Sequence, residues 1–141
     1  MAQTKAMVEA CGYEYRPHPD VVPNSHKALE VTELARDRGL HEAVHTRLMD
    51  AYWSEGLNIA DEVTLLALAA DAGLDPAEAA EALADRRYHS RVADSTREAN
   101  MVGVNAIPAF VLDGRLLLVG AHPYETFERA YAQLDAAEDS A

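Results

Sequence analysis

The sequence carries one cysteine, Cys11, in 141 residues, which excludes an internal disulfide and any Cys-x-x-Cys pair. Aromatic residues are scarce at 6 %, so Leu, Ala and Val must fill the core. Basic residues are outnumbered: Lys and Arg total 12 against 24 Asp and Glu, a formal charge of −12. Such a chain is repelled by phosphate backbones and anionic lipid, which excludes nucleic acid and membrane surfaces as partners. There is no apolar run long enough to cross a bilayer, and Met1-Ala2-Gln3-Thr4-Lys5 does not open a secretion signal. With a lone thiol and no such signal, a reducing, cytoplasmic compartment is expected. No glycine-rich phosphate loop, internal repeat or low-complexity tract occurs.

What is present is apolar patterning. Apolar residues make up 49 %, and the many alanines favour helix. A short helix is expected over residues 2–11, ending at Gly12. Residues 13–23 should be extended or irregular, because Pro17, Pro19 and Pro23 forbid a continuous helix. Asn24 or Ser25 then caps a helix to about Arg38, stopped by Gly39, with Ala28, Leu29, Thr32, Leu34 and Ala35 facing inward. Further helices are expected over 41–55, closed by Gly56, and from Asp61 to just before Gly73, with Val63, Leu65, Leu66, Leu68 and Ala69 inward. Asp75-Pro76-Ala77-Glu78 is a helix start: an Asp cap, proline at the first position, and Glu three residues after the cap. Residues 88–102 form the next helix, with Val92, Ala93, Ala99 and Val102 inward.

Asp113-Gly114 between two apolar runs is a hairpin signal, since a type I′ turn needs two residues that tolerate positive φ. Pro108 lacks an N–H for a ladder and belongs at the head of its strand, where an X-Pro bond is the usual candidate for a cis peptide. Tyr124, Phe127, Ala130, Tyr131 and Leu134 stripe a final helix, followed by an acidic tail over 135–141. Helices followed by ββα read as an α+β chain, mostly helical, with helices on one face of a very small sheet.

Four blocks occur in order: Pro23-Asn24-Ser25-His26-Lys27-Ala28-Leu29; Ala51-Tyr52-Trp53-Ser54-Glu55-Gly56; Gly103-Val104 with Ile107-Pro108-Ala109-Phe110; and Gly120-Ala121-His122-Pro123. Together they resemble the DsbA family of thiol–disulfide oxidoreductases in its FrnE-like branch, over roughly residues 5–134. The resemblance implies a thioredoxin-like fold interrupted by a helical insertion. On that reading residues 1–104 are the α-helical insertion domain, 105–134 the C-terminal ββα of the thioredoxin-like fold, and 135–141 the tail. The family's N-terminal strand and Cys-x-x-Cys helix have no counterpart in these residues. The implied activity is thiol–disulfide exchange on protein or peptide thiols, and the chain alone is expected to be inactive.

Pro108 matches the family's cis-proline and Ile107 the position before it, where the backbone pairs with a bound substrate chain. Asn24 and Ser25 match the block opening the insertion's helix near the active-site cleft. These four are the expected substrate-binding residues. No catalytic residue, cofactor or metal ligand is assigned. An uncovered, chargeless Phe110-Val111-Leu112 strand would be an exposed apolar edge. Strand pairing across residues 109–112 is therefore expected, by a second copy, by residues 13–22 or by another polypeptide.

Three further features carry alternatives. The kappa-class glutathione transferases and 2-hydroxychromene-2-carboxylate isomerases share the interrupted fold. Their loop before the last helix offers small polar or acidic groups, and Gly120-Ala121-His122-Pro123 does not. A non-enzymatic interaction module is a second alternative. His41-Glu42-Ala43-Val44-His45 matches the H-E-x-x-H pattern of zinc hydrolases, but the extended pattern would want glycine at Leu48 and histidine at Ala51. Glu62 and Glu78 remain as possible third ligands, and the bland reading is an exposed helix face. Cys11 is expected in the core, and Arg86, Arg87 and Arg91 in local ion pairs.

Overall fold

The computed structural model describes residues 2–16 and 22–138. Pro17, Pro19 and residues 139–141 of the expected tail lie outside the described residues. Seven helices and one two-stranded sheet occur among those described: α1 (Ala2–Ala10), α2 (His26–Asp37), α3 (His41–Trp53), α4 (Glu62–Asp71), α5 (Pro76–Ala84), α6 (His89–Met101), β1 (Ala109–Leu112), β2 (Leu116–Val119) and α7 (Tyr124–Glu138). This is the mostly helical α+β arrangement that the patterning implies. Among the described residues no helix is long and apolar enough to cross a membrane. The chain divides into two compact units, Met1–Ala93 and Asp94–Ala141.

In the first unit α2, α3, α4 and α5 pack on one another. Val31, Leu34, Ala35, Val44, Ala51, Leu65, Ala69 and Ala79 are almost wholly removed from water. The helix limits follow local chemistry. Asp61 accepts from the Thr64 backbone N–H (2.8 Å) and hydroxyl (2.7 Å), and Asp75 accepts from the Ala77 N–H at 2.9 Å. At the end of α2 the Gly39 N–H donates to the Arg36 carbonyl (3.2 Å) and the Leu40 N–H to the Ala35 carbonyl (2.8 Å). That pair of bonds needs the left-handed backbone Gly39 adopts, at φ +71°. Glu78 does not complete a capping box; its carboxylate is held by Arg38.

Two expected inward residues face water instead. Leu29 is 45 % exposed because Ala28, Val31 and Ala35 define the buried stripe and position 29 lies on the flank of Glu33 and Arg36. Val31 and Glu30 are buried in its place. Val63 is 78 % exposed, turned away from the Leu65, Leu68 and Ala69 face of α4.

In the second unit β1 and β2 form an antiparallel ladder from Ala109↔Val119 to Leu112↔Leu116. Asp113 (φ +53°) and Gly114 (φ +63°) make the expected turn, closed by the Arg115 N–H to the Leu112 carbonyl at 3.0 Å. Leu112, Ala130 and Leu134 are buried, with Leu116 and Leu118 against them. Phe110 meets Phe127 edge to face at 4.9 Å. Tyr124 and Tyr131 of the expected stripe are exposed, as is Val102, so the inward line of α7 runs through Phe127, Ala130 and Leu134.

The two faces of α4 give a direct test. Leu65→Ala, which removes a side chain with no solvent exposure, is expected to cost about 2–5 kcal/mol. Val63→Ala should change stability by less than about 0.5 kcal/mol. Urea unfolding followed by far-ultraviolet circular dichroism measures both, and equal losses would contradict the assigned faces.

Candidate functional site

The Ile107–Pro108 peptide bond is cis. Pro108 stands one residue ahead of β1, and its carbonyl accepts the Gly120 N–H at 2.7 Å, so it closes the open end of the hairpin. Ile107 precedes it outside the ladder and is 88 % exposed. In this two-stranded sheet each strand has one partner among the described residues. Phe110 and Val111 of β1 are partly open to solvent. Gly103 turns the chain after α6 with φ +92°, and a Cβ there would meet the Leu117 side chain at 3.4 Å. Beyond β2, the His122 Nε2–H donates to the Val119 carbonyl at 2.9 Å, which pins the loop through Gly120 ahead of α7.

In the first unit, Asn24 and Ser25 stand at the start of α2. The Asn24 Oδ1 accepts the His26 backbone N–H at 2.9 Å, while the Ser25 hydroxyl makes no cap bond. Asn24 is therefore the residue that terminates α2, through its side chain. It also lines a cleft of about 530 Å³ together with His26, Glu30, Leu83, Arg86 and His89. His26, Glu30 and His89 were not singled out by sequence. The one available signal was the i, i+4 spacing of His26 and Glu30, which puts both on one helix face. His89 is distant in sequence and only the fold brings it there.

Other candidates resolve differently. His41 and His45 stack at 5.8 Å on α3, and the His41 Nε2 faces the Arg36 guanidinium at 3.0 Å. Among the described residues no third ligand joins them. The glutamates weighed for that role are engaged elsewhere: Glu62 with Lys27 at 2.8 Å and Glu78 with Arg38. Cys11 is exposed rather than buried, because it follows α1, none of whose described side chains enters the core.

Arg87 and Arg91 form the expected local ion pairs, whereas Arg86 faces the His89 ring at 2.8 Å. Arg87 holds Asp85 at 2.8 Å, and Arg91 holds Glu33 at 2.7 Å and Asp37 at 2.9 Å. The Tyr88 hydroxyl donates to Asp37 at 2.9 Å. The Arg91 hydrogen bond, then that of Tyr88, lowers the Asp37 pKa below the usual carboxylate value. Burial, then the Asp37 carboxylate, raises that of Tyr88. Arg38 lowers Glu78, and Thr64 lowers Asp61.

The chain is similar to known proteins over most of its length. Residues 1–132 match the sequence model of the DSBA-like thioredoxin domain. The uncharacterized protein YwbO of Bacillus subtilis is 30 % identical over 127 residues, which is 88 % of this chain and 62 % of YwbO. The crystal structure of a probable DsbA oxidoreductase from Streptomyces coelicolor superposes with a TM-score of 0.84 at 31 % identity, covering 94 % of this chain and 57 % of that one. The chain thus spans about three-fifths of the length of these relatives.

The depressed carboxylates carry a pH prediction. Asp37, Asp61, Glu78 and Asp85 ionise more readily folded than unfolded. Their contribution is complete above the ordinary carboxylate value and disappears as pH falls through the lower folded one. The urea midpoint should therefore fall between about pH 5 and about pH 3. Asn replacing Asp37 should flatten that slope, and a midpoint that rises on acidification would contradict the assignment.

Proposed function

Because the chain belongs to the DSBA-like thioredoxin domain family, we propose that it serves thiol–disulfide exchange on protein or peptide thiols and supplies the substrate-facing part of the scaffold. The observation that carries this reading is Ile107, exposed and outside the ladder, directly before Pro108 at the mouth of the β1–β2 hairpin. Extended backbone at such a place can add a substrate segment as a further strand, through main-chain hydrogen bonds.

The chemistry itself needs sulfur. A thiolate attacks a disulfide sulfur, expels the other sulfur as a thiolate, and leaves a mixed disulfide; a second thiol on the same scaffold then resolves it. Cys11 is the only cysteine of the 141 residues and cannot do both steps. In this proposal the reacting pair comes from outside these residues, and the chain contributes Ile107 and Pro108 to substrate alignment. In the first unit Asn24 and Ser25, both exposed at the start of α2, offer polar groups to substrate. The uncharged β1 strand, Ala109–Leu112, is the edge on which a substrate strand or a second copy pairs.

Turbidimetric reduction of insulin by dithiothreitol tests this. The chain alone should give no acceleration. Joined to the part of the Streptomyces coelicolor relative that it does not cover, with that family's Cys-x-x-Cys, it should accelerate the reaction. Ile107→Asp in the joined protein should lower kcat/KM by about tenfold, through KM, because Ile107 is exposed and its loss spares the fold. Acceleration by the chain alone would contradict the proposal, and so would a joined protein indifferent to Ile107.

A further inference from the structure

His26, Glu30 and His89 converge in the cleft at the start of α2. His26 opens α2, Glu30 lies one turn later on the same face, and His89 opens α6. The His26 Nε2 is 2.8 Å from the His89 Nδ1, and the Glu30 Oε1 is 3.4 Å from the first and 3.3 Å from the second. Glu30 is 5 % exposed, and its Oε2 is buried without a hydrogen-bond partner. A buried carboxylate oxygen with no partner is costly. The nearby cations are engaged otherwise: the Lys27 ammonium with Glu62 at 2.8 Å, the Arg86 guanidinium with the His89 Nε2 at 2.8 Å.

A guanidinium only donates, so the His89 Nε2 must accept from Arg86, and the ring carries its proton on Nδ1. A 2.8 Å contact between two nitrogens holds one proton, so the His26 Nε2 is a lone pair. By this assignment a single N–H faces two acceptors, the His26 Nε2 and the Glu30 Oε1, and the Glu30 Oε2 has no donor. That is a donor deficit which a cation would remove.

We propose that His26, Glu30 and His89 bind a divalent transition-metal ion of the zinc type, with its remaining position open to the cleft. Two imidazoles and a carboxylate are a common three-ligand zinc set. With bonds of about 2.0–2.1 Å, ligand atoms of a tetrahedral site lie about 3.3 Å apart. The two edges to Glu30, at 3.3 and 3.4 Å, already have that length. The third edge, between the nitrogens, opens by about half an ångström to admit the ion. The metal takes the His89 Nδ1 lone pair, and the ring proton moves to Nε2. Arg86, on the exposed side of the cleft, then releases its contact with that nitrogen. The fourth position faces the cleft lined by Asn24, Ala60 and Leu83, where water or a small anion completes the shell.

The test is titration of the chelator-stripped chain with Zn²⁺ by calorimetry, and with Co²⁺ by visible absorption. The expected result is one equivalent bound, with the intense d–d bands of a tetrahedral Co²⁺ site. Glu30→Gln, which keeps the side-chain shape, and His89→Ala should each weaken binding by at least about tenfold. Arg86→Ala should tighten it. The double variant H41A/H45A and Cys11→Ser should bind as the wild type does. Circular dichroism confirms that each variant folds. No uptake of either ion by the wild-type chain, or uptake indifferent to Glu30→Gln and His89→Ala, overturns the proposal.

Discussion

Val31, Leu34 and Ala35 leave one flank of α2 with almost no access to water, and this burial dictates where every other group on that helix can go. With the apolar flank turned to α3, α4 and α5, Glu33 and Asp37 must meet Arg91, Arg38 must meet Glu78, and Glu30 must sink beside His26 and His89. The ion pairs at the rim are exposed and contribute modestly. The apolar contacts of α2 supply the larger stabilisation, because dry, close-packed side chains lose both hydration and void volume. Glu30 and Thr32 are the polar groups that this packing carries inside; the Thr32 hydroxyl donates to the Ala28 carbonyl at 2.8 Å, whereas Glu30 is left with an unpaired oxygen among the described residues.

The second unit works on a smaller scale. Leu112, Ala130 and Leu134 form a thin core under a two-stranded ladder, reinforced by the Phe110–Phe127 edge-to-face pair. A ladder of two strands is short of partners by construction. The similarity spans most of this chain and about three-fifths of each longer relative.

Much of the fold was legible because punctuation and period act locally. Gly39, Gly56 and Gly73 close their helices with positive φ, and Asp61 and Asp75 open theirs by accepting backbone N–H groups. Asp113-Gly114 makes its turn from its own conformational preferences. The errors lay in which apolar residue faces in. Leu29, Val63, Tyr124 and Tyr131 carry apolar bodies like their buried neighbours, and on α2 Val31 rather than Leu29 is buried. A stripe half a turn wide leaves its borders to be decided by the partner helices. Cys11 is at the surface for the same reason, since among the described residues nothing draws the end of α1 inward.

The sequence by itself determined the positions of helices, hairpin and turn, the cis-proline candidate and the family, since each depends on neighbours within a few residues or on ordered short blocks. Tertiary structure alone decided which side chains meet across long stretches of chain. H-E-x-x-H was conspicuous in the sequence, yet its histidines face an arginine and gather no third ligand among the described residues. His26, Glu30 and His89 were inconspicuous, and they converge because α6 begins where the buried flank of α2 leaves its polar edge. Local rules place a residue on a helix; only the packing of that helix against others sets the few ångströms that coordination requires.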